Sequence, residues 1–229
     1  MAREGRGTVR ARPMAWHLAL PGGGAMPLVR LAPARNLVME AFLTSTVLVA
    51  VAEIGDKTQL LALVLAARYR KPLTVILGIF VATLANHALA ALLGASAAQW
   101  LGGPWFSLAV ALSFIAMGLW TLIPDRLDEN DAPRSHGGAF MATTIAFFLV
   151  EMGDKTQLAT VALSAHFEAI VLVTLGTTLG MVIANAPVVL LGGKLLARVP
   201  MRAVHIAAAL LFIAIGAGML IAAGLPFQL

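Results

Sequence analysis

The sequence has no cysteine, a single tyrosine and little charge. Without cysteine there can be no disulfide, no thiolate metal site and no cysteine nucleophile. Charged residues make up 12% of the 229 residues, against about 25% in an ordinary soluble domain. That is too little polar surface to coat a globule in water. Hydrophobic residues make up 60%, and the mean hydropathy is +0.90. The bilayer is therefore the expected solvent. The formal net charge of +5 does not argue for a nucleic-acid partner. The basic residues sit in the N-terminal stretch and in short loops, the usual place beside a membrane.

A spanning helix needs about 20 mostly apolar residues. Six segments qualify: Ala41–Ala67, Leu73–Ala98, Trp105–Ile123, Ala139–Ala165, Ala169–Gly192 and Ala203–Ala223. Polar or Pro/Gly-rich breaks separate them, such as Arg68 to Pro72 and Gly102-Gly103-Pro104. Trp100, Trp105 and Trp120 lie near span ends, where aromatic side chains anchor at the interface.

The chain repeats itself. Glu53-Ile54-Gly55-Asp56-Lys57-Thr58-Gln59-Leu60 recurs as Glu151-Met152-Gly153-Asp154-Lys155-Thr156-Gln157-Leu158, seven of eight positions identical at a spacing of 98. Leu77-Gly78 and Leu93-Gly94 recur at the same spacing as Leu175-Gly176 and Leu191-Gly192. Each half reads as three helices with the motif in the first. Three is odd, so the second half enters the membrane from the opposite side. The expected fold is an all-α membrane protein of six transmembrane helices in two inverted three-helix repeats, a plan that puts substrate near mid-membrane. The repeats are residues 39–123 and 139–229, joined by a loop at 124–138.

Residues 1–38 differ. Ala, Arg, Gly and Pro supply 22 of them, and Pro21 to Gly24 interrupts the apolar stretch, so neither a signal peptide nor a periodic helix is expected. The segment reads as a disordered basic tail, or as upstream sequence from an early start, with Met39 the natural beginning. Loops after spans 1, 3 and 5 carry Arg68, Arg70, Lys71, Arg126, Arg134, Lys194, Arg198 and Arg202, while the loops after spans 2 and 4 carry no basic residue. The positive-inside rule makes the first set cytoplasmic.

The motifs carry the chemistry. An ionised residue deep in a membrane span costs at least about 2.5–3.5 kcal/mol and by default marks an ion or proton path. Each motif holds three. Glu and Asp at i, i+3 share a helix face, and the intervening Gly permits close approach or local unwinding. Glu53, Asp56, Glu151 and Asp154 would then converge on one site. Thr58, Gln59, Thr156 and Gln157 add neutral oxygens. An all-oxygen site suits Ca²⁺, Mg²⁺ or Mn²⁺. The two Glu-Asp-Lys sets sum to −2, which one divalent cation neutralises. Lys57 and Lys155 stand at i+4 from Glu53 and Glu151, placed to pair with them in the empty site. The alternative is a structural ion-pair network pinning two helices.

Other polar residues say less. Asn86 and Asn185 lie in spans 2 and 5, one residue out of register with the repeat, and read equally as interhelical bonds or ligands. His87 reads first as a packing histidine and second as a proton relay. His17, His136, His166 and His205 sit in the tail or at span ends. Asp125, Asp128, Glu129 and Asp131 form a solvated loop face. Pro187 is expected to kink span 5.

Glu-x-Gly-Asp-Lys-Thr, present twice in a chain of six spans, resembles the Gdt family of calcium/manganese–proton antiporters, and the short central loop is most similar to its bacterial manganese-exporter type. The resemblance runs from about Met39 to the C-terminus. It implies exchange of Mn²⁺ or Ca²⁺ for protons, with Glu53, Asp56, Glu151 and Asp154 essential and the following Lys and Thr in support. The cation is substrate, and no cofactor is expected. The setting would be the cell (inner) membrane, with lipid as the surrounding partner; a homo-oligomer is compatible with the pattern. Two other functions fit parts of the sequence. An intramembrane aspartyl protease uses two Asp on neighbouring helices, but a Lys beside each Asp suits a dyad badly. A passive cation channel would need the acids but no proton exchange.

Two expectations are testable at once. A reporter fused after Leu229 should read as external; a cytoplasmic signal would reverse the topology. A chain starting at Met39 should insert and transport as the full chain does; loss of transport with intact insertion would show that residues 1–38 contribute.

Overall fold

A computed structural model describes residues 34–123, 138–193 and 199–222, with side chains from Met39 onward in the first stretch. They form eight helices: α1 Ala34–Ala52, α2 Lys57–Tyr69, α3 Pro72–Leu101, α4 Pro104–Thr121, α5 Ala139–Glu151, α6 Lys155–Phe167, α7 Ile170–Leu191 and α8 Met201–Ala222. Four of them, α3, α4, α7 and α8, are long and apolar enough to cross a membrane. Met39–Ala52 and α5 are shorter apolar helices. The chain is a multi-pass helical membrane protein. Its α1 begins at Ala34, so the boundary drawn between residues 38 and 39 falls inside a helix. Most of the tail, the acidic loop with His136, and Arg126, Arg134, Lys194 and Arg198 lie outside the described residues.

The first and fourth expected spans are not continuous helices. Each breaks at its motif, between α1 and α2 and between α5 and α6. The cause is local. Gly55 and Gly153 have φ of +85 and +80, a left-handed conformation that side chains other than hydrogen resist. Asp56 and Asp154 then start the next helices from extended backbone, at φ −77, ψ 167 and φ −79, ψ 166. The two breaks match within a few degrees. So do the far ends of α2 and α6, where Arg70 and Glu168 (98 residues apart) cap the helices at φ 52 and 51.

The exterior is apolar and much of the polar surface is inside, the reverse of a water-soluble fold. Leu77, Leu89, Leu93, Leu112, Ile145, Leu175 and Leu210 are exposed, while Ser45, Thr83, Thr143, Thr160, Thr177 and Asn185 are buried. With lipid outside, helices gain little from hiding apolar surface and pack through small residues instead. A Cβ on Gly78 would meet Thr143 at 2.8 Å, and one on Gly176 would meet the Phe42 carbonyl at 2.6 Å and Ser45 at 3.0 Å. These two crossings, α3 on α5 and α7 on α1, are equivalent at the 98-residue spacing. The α4–α8 crossing is equivalent to itself. Gly118 meets the Ala209 carbonyl, Gly216 meets the Ala111 carbonyl, and Phe114 faces Phe212 at 6.2 Å between ring centres.

One crossing breaks the equivalence. Gly94 lies so close to α6 that a Cβ would stand 2.1 Å from the Val161 carbonyl oxygen. Ser164 also donates to the Ala91 carbonyl at 2.7 Å. The counterpart of Gly94 is Gly192, which ends α7 at φ +75 with nothing among the described residues within 4 Å of its Cβ position. Accordingly α3 runs for 30 residues and α7 for 22. The partner of α7 is less covered: Ala66 and Ala67 of α2 are half-buried and exposed, whereas Ser164 and Ala165 of α6 are buried.

Gly94→Ala should therefore force α3 and α6 apart and destabilise the protein by about 1–3 kcal/mol. Gly218→Ala, at an exposed position of α8 with nothing among the described residues within 4 Å, should be neutral or stabilise by about 0.5–1 kcal/mol. Thermal unfolding in detergent compares them. An unchanged melting temperature for Gly94→Ala would show that the α3–α6 contact yields easily.

Candidate functional site

The two helix breaks meet inside the protein. Glu53, Asp56, Glu151 and Asp154 are all buried. One carboxylate oxygen each from Glu53, Asp56 and Asp154 lies within 4.8 Å of the others, so acids from both halves share one spot. Glu151 stands outside that triad but next to it. The Thr156 hydroxyl donates to Glu151 Oε1.

Each Glu is held by its own repeat's Thr. Thr58 donates to Glu53 as Thr156 donates to Glu151. Each Gln braces its own break. The Gly55 amide donates to Gln59 Oε1 at 2.9 Å, and the Gly153 amide to Gln157 Oε1 at 2.6 Å. The other end of each Gln crosses to the opposite half. Gln59 Nε2 donates to the Ala184 carbonyl at 2.8 Å, and Gln157 Nε2 to Asn86 Oδ1 at 2.6 Å. The Gln and Thr side chains thus hold the breaks and the acids. Asn86 also donates to the Phe148 carbonyl at 3.3 Å, so it ties α3 to both α5 and α6. Asn185 donates to the Met181 carbonyl of its own helix at 3.1 Å.

Two further expectations change. Because the helix breaks, Glu and Asp do not share one helix face: Glu53 follows α1 and Asp56 precedes α2. Neither Asp uses its side chain to cap the helix it begins, although Asp is a favoured cap. The ion pairs seen for the lysines run to the other repeat's aspartate and not to the i+4 glutamate. Lys57 Nζ lies 3.4 Å from Asp154 Oδ1, and Lys155 Nζ lies 3.9 Å from Asp56 Oδ1. The two lysines differ in setting. Lys155 is nearly buried, 3.3 Å from the Ile123 carbonyl and over the Trp120 ring, while Lys57 is 23% exposed. Trp120 is therefore more than a lipid anchor; Trp100 and Trp105 remain exposed.

Buried acids usually have every oxygen satisfied. Here Glu53 Oε1, Glu151 Oε2 and Asp154 Oδ2 are buried with no hydrogen-bond partner among the described residues. Each such atom costs about 1–3 kcal/mol or more if nothing fills the place. A hard divalent cation with bonds of about 2.0–2.6 Å holds opposite ligands about 4–5 Å apart, the spread of the triad.

Two histidines belong to the surroundings. His87 of α3 is fully buried, its Nε2 3.5 Å from Glu151 Oε1. The repeat gave the signal for it: adding 98 to 87 gives Asn185, so the imidazole occupies the place of a polar residue in the other half. His205, expected to lie idle at a span end, sits with Met201 against the first break. Its Nε2 is 3.4 Å from where a Cβ on Gly55 would stand. Nothing in the sequence near His205 links it to the motif, since α8 reaches the break only through the fold.

The family model described as divalent cation/proton antiporter GDT1 matches residues 41–129 and 139–225, one motif in each segment. A Vibrio cholerae protein named "Putative manganese exporter" is 49% identical over 177 residues, covering 77% of this chain and 88% of that protein. GDT1-like protein 5 of Arabidopsis thaliana is 28% identical over 222 residues, covering 78% of this chain and 94% of the plant protein. A GDT1-like protein of Synechocystis is 28% identical over 197 residues, covering 76% and 94%. No solved structure matches. The matched segments span most of the chain and both helix breaks, and the chain belongs to the GDT1 family of divalent cation/proton antiporters, a family of membrane transporters.

Proposed function

We propose that this protein exports Mn²⁺ in exchange for protons across the cell (inner) membrane, through one mid-membrane site built from the two motifs. The observation that carries this is the buried triad of Glu53, Asp56 and Asp154, drawn from both halves and within 4.8 Å. On this reading α1–α2 and α5–α6 are each one broken span, so the eight helices make six spans in two inverted repeats. Broken helices around a central site are a recurrent transporter device, because unwound backbone is tolerated only where it faces protein or a cavity. Glu151 completes the set of four acids. Protons would occupy the same carboxylates when the cation leaves, which is the exchange the family performs. The manganese assignment draws on the Vibrio relative's name; Ca²⁺ is the competing cargo.

The unequal packing of the halves supports alternation. With α6 closed on α3 and α2 less covered, the site is better sealed on the side of Glu168 than on the side of Arg68. If Arg68, Arg70 and Lys71 are cytoplasmic, this is the conformation that loads an exporter. The opposite conformation would close α2 and release α6. A protease dyad fits less well, since each Asp has a lysine from the other half within 4 Å.

Asp56→Asn and Asp154→Asn each remove one charge at constant volume. Each should weaken Mn²⁺ binding by about 100-fold, roughly 2.7 kcal/mol, with folding retained. Lys57→Ala should keep Mn²⁺ binding and change the pH dependence of transport, because the lost positive neighbour had opposed both the cation and its competing protons. Uptake of Mn²⁺ and Ca²⁺ into proteoliposomes across a pH series tests both, and the accompanying proton flux separates an antiporter from a channel. Wild-type transport by both Asn variants would sink the proposal.

A further inference from the structure

The acids and lysines of the site are matched between the halves, but one pair of residues facing it is not. His87 on α3 and Asn185 on α7 are equivalent at the 98-residue spacing, and both are fully buried. Neither ring nitrogen of His87 has a hydrogen-bond partner among the described residues. Asn185 spends its amide nitrogen on Met181 and leaves Oδ1 without a partner. A buried imidazole with both nitrogens unsatisfied is uncommon and asks for a ligand or a water. Its Nε2 stands 3.5 Å from Glu151 Oε1, and Glu151 Oε2 also lacks a partner. Neighbouring donors on one cation, with bonds of about 2.1–2.6 Å, stand about 3.0–3.7 Å apart. The His87–Glu151 edge has that spacing. Glu151 stands three residues before Asp154 of the triad, whose amide donates to the Glu151 carbonyl at 3.2 Å, and this puts the edge beside the triad.

We propose that His87 Nε2 is a direct ligand of the transported cation alongside Glu151, and that this nitrogen biases the site toward Mn²⁺ and against Ca²⁺. The inference rests on the transport reading above and adds a donor outside the motifs. Ca²⁺ takes oxygen ligands, whereas first-row transition ions accept imidazole as well. A single nitrogen among carboxylate oxygens leaves the site hard enough for Mn²⁺ while costing Ca²⁺ one good ligand. Only one half supplies it. Asn185 offers only an amide oxygen in the matching place.

The test is pulsed electron paramagnetic resonance of the purified full-length protein with Mn²⁺ alone, joined to binding of Mn²⁺ and Ca²⁺. Wild-type protein should show ¹⁴N modulation from a coordinated imidazole. His87→Asn, which copies the other half, should abolish that modulation, weaken Mn²⁺ by about tenfold or more and leave Ca²⁺ within about threefold. Bound Mn²⁺ without ¹⁴N modulation in the wild type would overturn the inference while leaving the transport site intact. Modulation that persists in His87→Asn would overturn it too, and would direct attention to His205. Equal loss of both ions in the variant would mark His87 as a packing residue. If the variant does not fold, the wild-type spectrum together with a His205→Asn control decides. Wild-type protein that binds no Mn²⁺ at all would remove the transport reading itself.

Discussion

The structure depends on two helices that stop in mid-course with their acids buried. In lipid a broken helix exposes backbone groups with no water to satisfy them, and a buried carboxylate needs partners or a counter-charge. The chain meets both demands with the residues of the motif. Gly55 and Gly153 make the turn, Gln59 and Gln157 accept from the turn's amide, and Thr58 and Thr156 hold the glutamates. Each Gln also reaches across to the facing helix. Every polar position of the motif therefore has a structural task beside any chemical one. Replacing Gln or Thr would loosen the break first and the cation second.

Much of this was legible in the sequence. The duplicated motif, its depth in apolar segments and the 98-residue spacing follow from the residues alone, and the helices fall within a few positions of the apolar runs. The break itself was only half legible. Gly55 permits unwinding, but permission is not requirement, and a continuous helix would have put Glu53 and Asp56 on one face. The positive φ at Gly55 and Gly153 decides the matter and is a property of the fold. The lysine partners were illegible for a different reason. An i+4 rule sees only the local helix, and Lys57 to Asp154 is a contact between halves. His205 belongs to the same class. Asn86 and Asn185 looked like a misaligned pair; the true counterpart of Asn185 is His87, and of Asn86 it is Ala184, whose backbone carbonyl does for Gln59 what the Asn86 side chain does for Gln157.

On the transport reading, the glycines explain how a nearly symmetric repeat could have two states. At Gly78 and Gly176, and at Gly118 and Gly216, backbones approach closely in both halves. These contacts are common to the two halves and form a frame that need not change. At Gly94 and Gly192 the halves differ, one a tight crossing and the other a helix end. A packed contact of backbone on backbone does not deform gradually, so a pair of such crossings, one made and one unmade, is suited to switching between two arrangements.

The crossed lysines bring the site and that difference together. Each lysine ties the Asp of one half to the helix that follows the break in the other. On the transport reading, a cation arriving between Asp56 and Asp154 competes with Lys57 and Lys155 for the same carboxylates. Cation binding would then weaken two links between halves while making one new link of its own. Protons returning to the acids would also weaken the lysine pairs, but they would supply no bridge. The two cargoes thus leave the halves differently joined, and differential stabilisation of two states is what a conformational change requires. The unequal burial of Lys57 and Lys155 means the two links are not equivalent in the conformation described. The more exposed one lies with α2, the helix that on the transport reading would close the site on the Arg68 side.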